Sequence, residues 1–297
     1  RIGTRILRIL SGGRAEMKNL WVCSLLAVPY ETSPCIRRMN LCIQRLQLKQ
    51  AVSRIGMRRP VVWSTTPLLM DLIQSLDARL FVYDIQDEYT RFPGMDHERL
   101  AACESQALSA CDVVFVVSER LQEVKKGASP VAIQLVRNGV DYDLFRTARD
   151  PQTETAREIG DLPRPVAGYV GNIYDRLDQE LVARTAERLP HWSFVFVGMV
   201  RDDVTRLARM ENVHFLGMHP PDRLPRFLKG FDVGIIPHKV DLFTACQNPV
   251  KLYEYLARGR PGAATRTRAL APFAGVCRLY TGRAELLEWL QRAVEET

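Results

Sequence analysis

The sequence lacks the patterns that hold metals, disulfide frameworks or membrane spans. Its seven cysteines include no CxxC pair and its five histidines form no HExxH motif, so reduced thiols and no metal site are predicted. The longest apolar stretch, residues 20–28, is much shorter than the roughly 20 residues of a membrane-spanning helix. These absences favour a cytoplasmic protein.

Two nucleotide-binding fingerprints are also missing. The chain has neither a Walker A loop nor a GxGxxG loop, which argues against ATP hydrolysis and dinucleotide-dependent oxidoreduction, and no cofactor is predicted. Of its 297 residues, 46% are hydrophobic and 25% are charged, a composition unlike that of disordered or collagen-like chains. The length fits two domains of roughly 100 to 200 residues each.

Positive charge is concentrated at the start of the chain. Residues 1–60 hold 12 Lys and Arg against two Glu. Such a segment attracts anions, which fits a peripheral contact with the inner membrane surface, whereas the alternative is a solvated face with no specific partner. No nucleic-acid-binding motif accompanies the charge, so nucleic acid is not predicted as a partner.

Short apolar runs alternate with amphipathic segments along the chain. The predicted buried strands are 20–28, 60–64, 80–83, 112–117, 131–136, 166–171, 193–198, 213–217 and 232–237. Strands that are apolar throughout, each followed by a helical crossover, indicate parallel sheets with helices on both faces. The predicted fold class is α/β, with two Rossmann-like doubly wound domains.

The domain boundaries follow from a pause in this alternation. The polar, proline-interrupted segment 146–164 is the predicted linker between an N-terminal domain, 1–145, and a C-terminal domain, 165–280. A C-terminal helix is predicted over 281–297. Parallel strands direct their carboxyl ends to one edge of a sheet, so a ligand is expected in the cleft between two such domains.

The turn after the strand at 166–170 is the first candidate binding site. Gly171 permits close backbone approach, Asn172 leads toward a helix with free N–H groups, and Arg176 is a candidate partner for phosphate. The alternative is an ordinary turn between strand and helix, in which glycine serves only to make the turn tight.

The segment NPVKLYEYLARGRPG is the most informative in the chain. Asn248 is predicted as the N-cap of a helix and Gly259 as its C-terminal stop. Lys251 then lies in the first turn, where the helix dipole disfavours a cation by roughly 0.3–1 kcal/mol unless an anion binds at the same end. Glu254 lies on the same face and is a candidate acceptor for two sugar hydroxyls. The alternative is a Lys251–Glu254 surface ion pair.

Seven runs follow one another between residues 82 and 262, within a likeness that extends from about residue 20 to residue 261. They are VYDIQDEYTRFPG, ACDVVFVVSERL, VRNGVDYDLF, YVGNIYDRLD, FVFVGMV, NVHFLGMHPPDRLPRFLKGFDVGIIPH and NPVKLYEYLARGRPG. The first three resemble the acceptor half and crossing segment, and the last four the donor-binding domain, of family 4-like GT-B glycosyltransferases of bacterial exopolysaccharide and teichuronic acid biosynthesis.

The resemblance implies transfer of a sugar from a nucleotide-diphosphate donor to a glycan or lipid-linked glycan acceptor in polysaccharide biosynthesis, without an obligatory metal. It implies a diphosphate near Gly171, Arg176 and Lys251, ribose near Glu254 and the base near Gly217 and Met218. The predicted nucleotide-sugar site comprises Gly171, Asn172, Arg176, Gly198, Gly217, Met218, Asn248, Lys251 and Glu254. Many relatives carry two glutamates eight positions apart at this helix; here the earlier position is Cys246, which leaves the donor sugar and the stereochemical course open.

An inverting transfer also needs a base for the proton of the acceptor hydroxyl. In the similar xanthan-type glucuronosyltransferases an aspartate after the strand that corresponds to 80–83 is this base, which makes Asp87 the first candidate. Asp84 and Glu88 are alternatives, and a purely structural loop capped by these acids is the other interpretation.

Two departures from the family leave other functions open. The first strand and glycine loop of a GT-B enzyme are not recognisable, so the N-terminal domain is predicted to be truncated. A nucleotide-sugar epimerase of the same architecture and a catalytically degenerate GT-B scaffold remain alternatives.

Overall fold

The structure is a computed structural model that describes residues 14–17, 19–28, 33–92, 94–260 and 262–295. The chain divides into two compact units. The first unit contains residues up to 116 together with 122–135, and the second contains 117–121 and the chain from residue 136 onward.

The first unit is built on a four-stranded parallel sheet in the order β3-β4-β5-β6, and a small hairpin, β1-β2, precedes it along the chain. The strands are β1 Arg14–Met17, β2 Leu20–Val22, β3 Val61–Ser64, β4 Leu80–Ile85, β5 Val113–Val116 and β6 Ile133–Leu135. The α-helices are α1 Pro34–Arg54, α2 Met70–Ile73, α3 His97–Ala110 and α4 Glu119–Lys125, whose first residues are counted in the second unit.

The prediction of a buried parallel strand over 20–28 is wrong. Only Leu20–Val22 form a strand; it pairs antiparallel with β1, and its three residues are exposed. An apolar run becomes a buried strand only where other elements cover its faces. The predicted truncation concerns the start of this unit, where residues 1–13, 18 and 29–32 lie outside the described residues.

The second unit is built on a six-stranded parallel sheet. Its strands are β7 Val166–Val170, β8 Ser193–Val197, β9 Val213–Phe215, β10 Val233–Ile236, β11 Gly262–Thr265 and β12 Arg278–Tyr280. Its α-helices are α5 Tyr142–Phe145, α6 Arg157–Gly160, α7 Gln179–Arg188, α8 Thr205–Ala208, α9 Leu224–Gly230, α10 Leu242–Ala245, α11 Val250–Arg258 and α12 Arg283–Glu295. The strands β11 and β12 are additional to those predicted, because neither is a long apolar run.

The strand order of this sheet is β9-β8-β7-β10-β11-β12, which is the doubly wound order of a Rossmann fold. Alternate residues of β7 and β8 pack into two different hydrophobic clusters: Tyr169 and Phe196 belong to one, and Val170 and Val197 to the other. Both faces of the sheet are therefore covered, which explains why these strands are apolar throughout. The predicted fold class is confirmed.

Residues 146–164, the predicted linker, pack into the second unit in the structure. Ala148, Ala156 and Ile159 of this segment are buried in the same cluster as Phe227. The chain changes units after residue 135, and small apolar residues spaced through the polar segment 146–164 anchor it to the sheet's helical layer.

Candidate functional site

The candidate site lies at the point where the strand order of the six-stranded sheet reverses. The first strand, β7, has β8 on one side and β10 on the other, so the connections after β7 and β10 leave toward opposite faces. Ligands of doubly wound sheets bind outside the carboxyl ends of the strands at such a point. Gly171 directly follows β7 and His238 lies two residues after β10, so both stand at this edge.

Gly171 and Lys251 are brought together at this edge. Gly171 has a φ of 136°, and its N–H donates to the Val197 carbonyl at 2.8 Å. A Cβ at this position would lie 3.0 Å from Cε and 3.1 Å from Nζ of Lys251. Glycine is favoured here because other residues rarely adopt this φ and because a side chain would press against the Lys251 ammonium group.

The ends of β7, β8 and β9 are held closely together. Gly198, after β8, has a φ of 152°, and a Cβ there would lie 2.0 Å from the Gly171 carbonyl oxygen. Its N–H donates to the Gly217 carbonyl at 2.8 Å. Met218, the next residue, is 70% exposed, so its side chain is accessible at this edge.

Tyr169 and His238, which the sequence analysis did not select, belong to the site: Tyr169 contacts Lys251, and His238 contacts Tyr169. The Lys251 ammonium donates to the Tyr169 hydroxyl at 3.0 Å and lies 4.4 Å from the centre of that ring. The Tyr169 hydroxyl is in turn 3.1 Å from the Asn172 carbonyl and 3.3 Å from His238 Nε2. Tyr169 is hidden within an apolar strand, but the position of His238 directly after the β10 run is a signal that sequence reasoning can use.

The charges of Lys251 and Arg176 act on each other and on His238 in this site. Burial and the nearby Arg176 lower the pKa of Lys251 to about 7, and burial together with Lys251 and Arg176 lowers the pKa of His238 well below its usual value. The Arg176 guanidinium lies 4.2 Å from the centre of the Tyr174 ring and 5.1 Å from that of Phe243. Cations that depress one another's pKa create a site that an anion stabilises.

Glu254 is the acidic partner on the same helix. It is partly buried, and this burial raises its pKa to about 7 although the charge of Lys251 acts in the opposite direction. Because the Lys251 ammonium is bonded to Tyr169 and is itself half-buried, the two residues do not form the exposed ion pair that was the alternative. Glu254 remains available as an acceptor for hydroxyl groups.

The predicted start of this helix needs a correction of one residue. The helix α11 begins at Val250 with Pro249 as its N-cap, and Asn248 does not cap it. The Asn248 Oδ1 atom instead accepts from the Asn138 N–H at 2.9 Å and from the Tyr253 hydroxyl at 3.0 Å. Because these two hydrogen bonds occupy the oxygen, Asn248 ties the start of the helix to Asn138 and does not cap its N-terminus. The C-terminal stop at Gly259 is confirmed, with a φ of 75°.

The three candidate bases of the first unit, Asp84, Asp87 and Glu88, have different environments. Glu88 is too buried to act as the base. Glu88 is 1% exposed and pairs with Lys125 at 2.8 Å, and Lys125 also pairs with Glu104 at 2.6 Å. A carboxylate that is buried in such an ion pair has no access to an acceptor hydroxyl. Sequence alone does not show which of several neighbouring acids faces inward.

Asp84 and Asp87 remain accessible at the carboxyl end of β4. Asp84 Oδ2 accepts from Trp63 Nε1 and from Gln86 Nε2, both at 3.2 Å. Asp87 is half-buried. Burial and the charges of Asp87 and Asp84 raise the pKa of Tyr89 to about 12. Asp87 therefore stays the first candidate and Asp84 the alternative.

The described residues contain neither a metal-ligand cluster nor a membrane-spanning helix. No three or more His, Cys, Asp and Glu side chains there are arranged to hold a metal ion. No described helix combines the length and the apolar composition of a membrane span.

A Rossmann-ordered sheet with a cationic turn at its switch point is typical of nucleotide-binding α/β domains. Residues 164–293 match a family model described as glycosyl transferases group 1. The match covers less than half of the 297-residue chain.

Curated relatives extend the likeness. The chain is 31% identical over 176 residues, which are 56% of this chain and 43% of the relative, to the protein named "Putative teichuronic acid biosynthesis glycosyltransferase TuaH" of Bacillus subtilis (strain 168). It is 26% identical over 190 residues, 57% of this chain and 44% of the relative, to D-inositol 3-phosphate glycosyltransferase of Corynebacterium jeikeium (strain K411). The chain thus spans less than half the length of these curated relatives.

Solved structures agree on the fold. A sucrose-phosphate synthase from Thermosynechococcus elongatus matches with a TM-score of 0.72 at 18% identity, over 96% of this chain and 76% of that one. Anabaena Alr3699/HepE in complex with UDP and glucose matches with a TM-score of 0.64 at 17% identity, over 84% and 72%. These likenesses identify the fold as GT-B.

Binding of a nucleotide-diphosphate sugar at pH 8 is expected to take up a proton. Lys251, with a pKa of about 7, is mostly neutral at pH 8 in the free protein, and a diphosphate beside it favours the charged form. Calorimetry in two buffers of different ionisation enthalpy measures this uptake. A nucleotide sugar is used because its diphosphate has no ionisation near this pH.

Lys251→Met should abolish the proton uptake and weaken binding by at least about tenfold, whereas the exposed Lys126→Met should change neither. Uptake that persists in Lys251→Met would assign the proton to another group.

Removing the Tyr169 hydroxyl is expected to weaken nucleotide-sugar binding through Lys251. Tyr169→Phe keeps the ring but removes the acceptor of the ammonium hydrogen bond, and the dissociation constant should rise about fivefold. Tyr280→Phe, which removes a buried hydroxyl bonded to Thr265, is the matched control. In a double-mutant cycle the Tyr169 effect should vanish in Lys251→Met; additive effects would show that Tyr169 acts independently.

Proposed function

We propose that this protein transfers a sugar from a nucleotide-diphosphate donor to a glycan or lipid-linked glycan acceptor in polysaccharide biosynthesis. The observation that carries the proposal is the Lys251 ammonium group, held against the Gly171 turn at the switch point of a group 1 glycosyltransferase domain. The curated relative that is named for teichuronic acid biosynthesis supports the polymer class.

The donor is proposed to lie along the carboxyl edge of the six-stranded sheet. Lys251 and Arg176 stabilise the negative charge that develops on the diphosphate as the glycosidic bond breaks. Glu254 accepts hydrogen bonds from ribose hydroxyls, and Gly217 and Met218 line the place of the base. The cations are fixed before the donor arrives, Lys251 by Tyr169 and Arg176 by the Tyr174 ring, so little reorganisation is needed during the reaction.

Asp87 is proposed as the base that takes the proton of the acceptor hydroxyl in an inverting transfer. It is half-buried at the carboxyl end of β4, whereas Glu88 is enclosed with Lys125. Asp84 is the alternative, and its Oδ2 atom accepts from Trp63 and Gln86.

Asp87→Asn is expected to lower sugar transfer by about a hundredfold or more, since a positioned general base contributes roughly 10²–10⁴ in rate. Donor binding, measured by calorimetry, should be unchanged because Asp87 and Lys251 belong to different units. The exposed Asp77→Asn is the matched control. Full transfer activity in Asp87→Asn would refute the assignment.

The same assay separates the competing functions. An epimerase converts the nucleotide sugar without an acceptor, and a degenerate scaffold gives no product with any donor. Chromatography of the products with and without acceptor distinguishes all three.

We also propose that the protein binds its acceptor at the inner membrane surface and that helix α1 contacts the lipid. This helix carries five Lys and Arg and no acid, and its exposed face includes Met39 and Leu46, which are 44% and 71% exposed. Basic and apolar side chains on one exposed face favour binding to anionic lipid. The further basic residues within 1–13 lie outside the described residues.

Met39→Glu with Leu46→Glu is expected to reduce co-sedimentation with phosphatidylglycerol vesicles at least about fivefold, because both lost apolar contacts and added negative charge oppose binding. The similarly exposed Val276→Glu in the second unit is the control. Equal sedimentation of all three proteins would exclude α1 as the contact.

A further inference from the structure

A second cationic cavity lies at the far end of the helix that carries Lys251. It has a volume of about 530 Å³ and is lined by Ala148, Arg149, Lys229, Arg258, Gly259 and Arg260. Lys251 lies in the first turn of α11, whereas Arg258 is its last residue. At 1.5 Å per residue the two ends of α11 are roughly 12 Å apart, so this cavity is separate from the candidate nucleotide-sugar site.

Part of this positive charge is explained by the ends of two helices. Arg258 Nη1 donates to the Leu228 carbonyl of α9 at 2.7 Å, and Arg149 Nη2 lies 3.4 Å from the Leu256 carbonyl of α11. Lys229 donates to backbone carbonyls of the segment 150–151. Cations at helix C-termini are stabilised by the unpaired carbonyl groups there.

The acids nearby do not balance the remaining charge. Asp232 is shared by Arg164 at 2.6 Å and Arg260 at 3.7 Å. The Asp150 carboxylate, beside Arg149 in sequence, accepts from the Gln152 N–H. Among the described residues, Asp232 is therefore the only carboxylate within ion-pair distance of Arg164 or of the four cations of the cavity wall.

A buried donor of Arg258 is unsatisfied. The Arg258 side chain is 2% exposed, and its Nε has no hydrogen-bond partner among the described residues. Burial lowers the pKa of Arg258 to about 9, and Arg260 and Arg164 act in the same direction. Buried polar groups are normally paired, so an unpaired guanidinium N–H beside a cationic cavity indicates a missing acceptor.

We propose that this cavity binds a phosphate-bearing ligand at a site separate from the nucleotide-sugar site. Guanidinium groups match phosphate oxygens in geometry and charge, and Arg149 and Arg260 are exposed and so accessible to a ligand. The volume exceeds what one phosphate group fills, which leaves room for the group that bears it. The phosphate belongs either to a soluble metabolite or to an anionic lipid headgroup.

The test uses inorganic phosphate as the probe and the full chain with Lys251→Met, which silences the nucleotide-sugar site. Phosphate-induced stabilisation against heat gives an apparent dissociation constant. Adding Arg149→Gln and Arg260→Gln is expected to weaken phosphate at least about tenfold, because two charge-assisted hydrogen-bond donors are lost. Arg188→Gln with Arg209→Gln, two exposed arginines elsewhere in the unit, removes the same charge and should leave it unchanged.

The outcomes are distinct. Phosphate stabilisation that is equal in both double variants, or absent from the parent Lys251→Met protein, overturns the proposal. The unliganded melting temperatures check that each variant folds. A parallel loss of binding to phosphatidylglycerol vesicles in the Arg149→Gln, Arg260→Gln protein identifies a lipid headgroup as the source, whereas loss of phosphate binding alone identifies a soluble metabolite.

Discussion

The candidate site depends on one constraint: the Lys251 ammonium group is half-buried, and no described residue of the second unit forms an ion pair with it. The Tyr169 hydroxyl supplies a hydrogen bond but no charge, Arg176 adds a second cation, and Glu254 has a raised pKa of its own. A protein that keeps a cation in such a place loses stability relative to one with a neutral side chain. An anionic ligand removes this cost, and that is the physical basis of the proposed donor site.

The sheet topology provides the geometry for this arrangement. Because β7 is the first strand of the doubly wound order, its end stands where the connections diverge, and the helix α11 returns its N-terminal turn to the same point. Gly171 and Gly198 are both favoured at this edge, since a side chain on either would meet Lys251 or the neighbouring backbone. The cation and the glycines are thus parts of one arrangement.

Electrostatic environment separates residues that look alike in sequence. Glu88 and Asp87 are adjacent acids, yet Glu88 joins a buried ion pair with Lys125 while Asp87 keeps access to solvent. Lys251 and Arg258 are cations on one helix, seven residues apart, and they lie at opposite ends of it among different partners. Residues of like charge therefore have different roles because their partners differ.

The sequence by itself determined the fold class and most of the elements of the second unit, because fully buried parallel strands require continuous apolar runs and helix ends require particular residues. Gly259 ends α11 as predicted. The conjunction of Lys251 and Glu254 in the first turns of one helix was also readable, since helical spacing is fixed.

Only the tertiary structure decided which groups meet across the chain. Asn248 does not cap the helix because its oxygen accepts from Asn138, 110 residues away. The run 20–28 forms no buried strand because no described residue covers Leu20–Val22. Tyr169 and His238 joined the site because their strands are neighbours in the sheet, although 69 residues separate them in sequence. Local patterns encode local structure, whereas burial and pairing depend on partners that are distant along the chain.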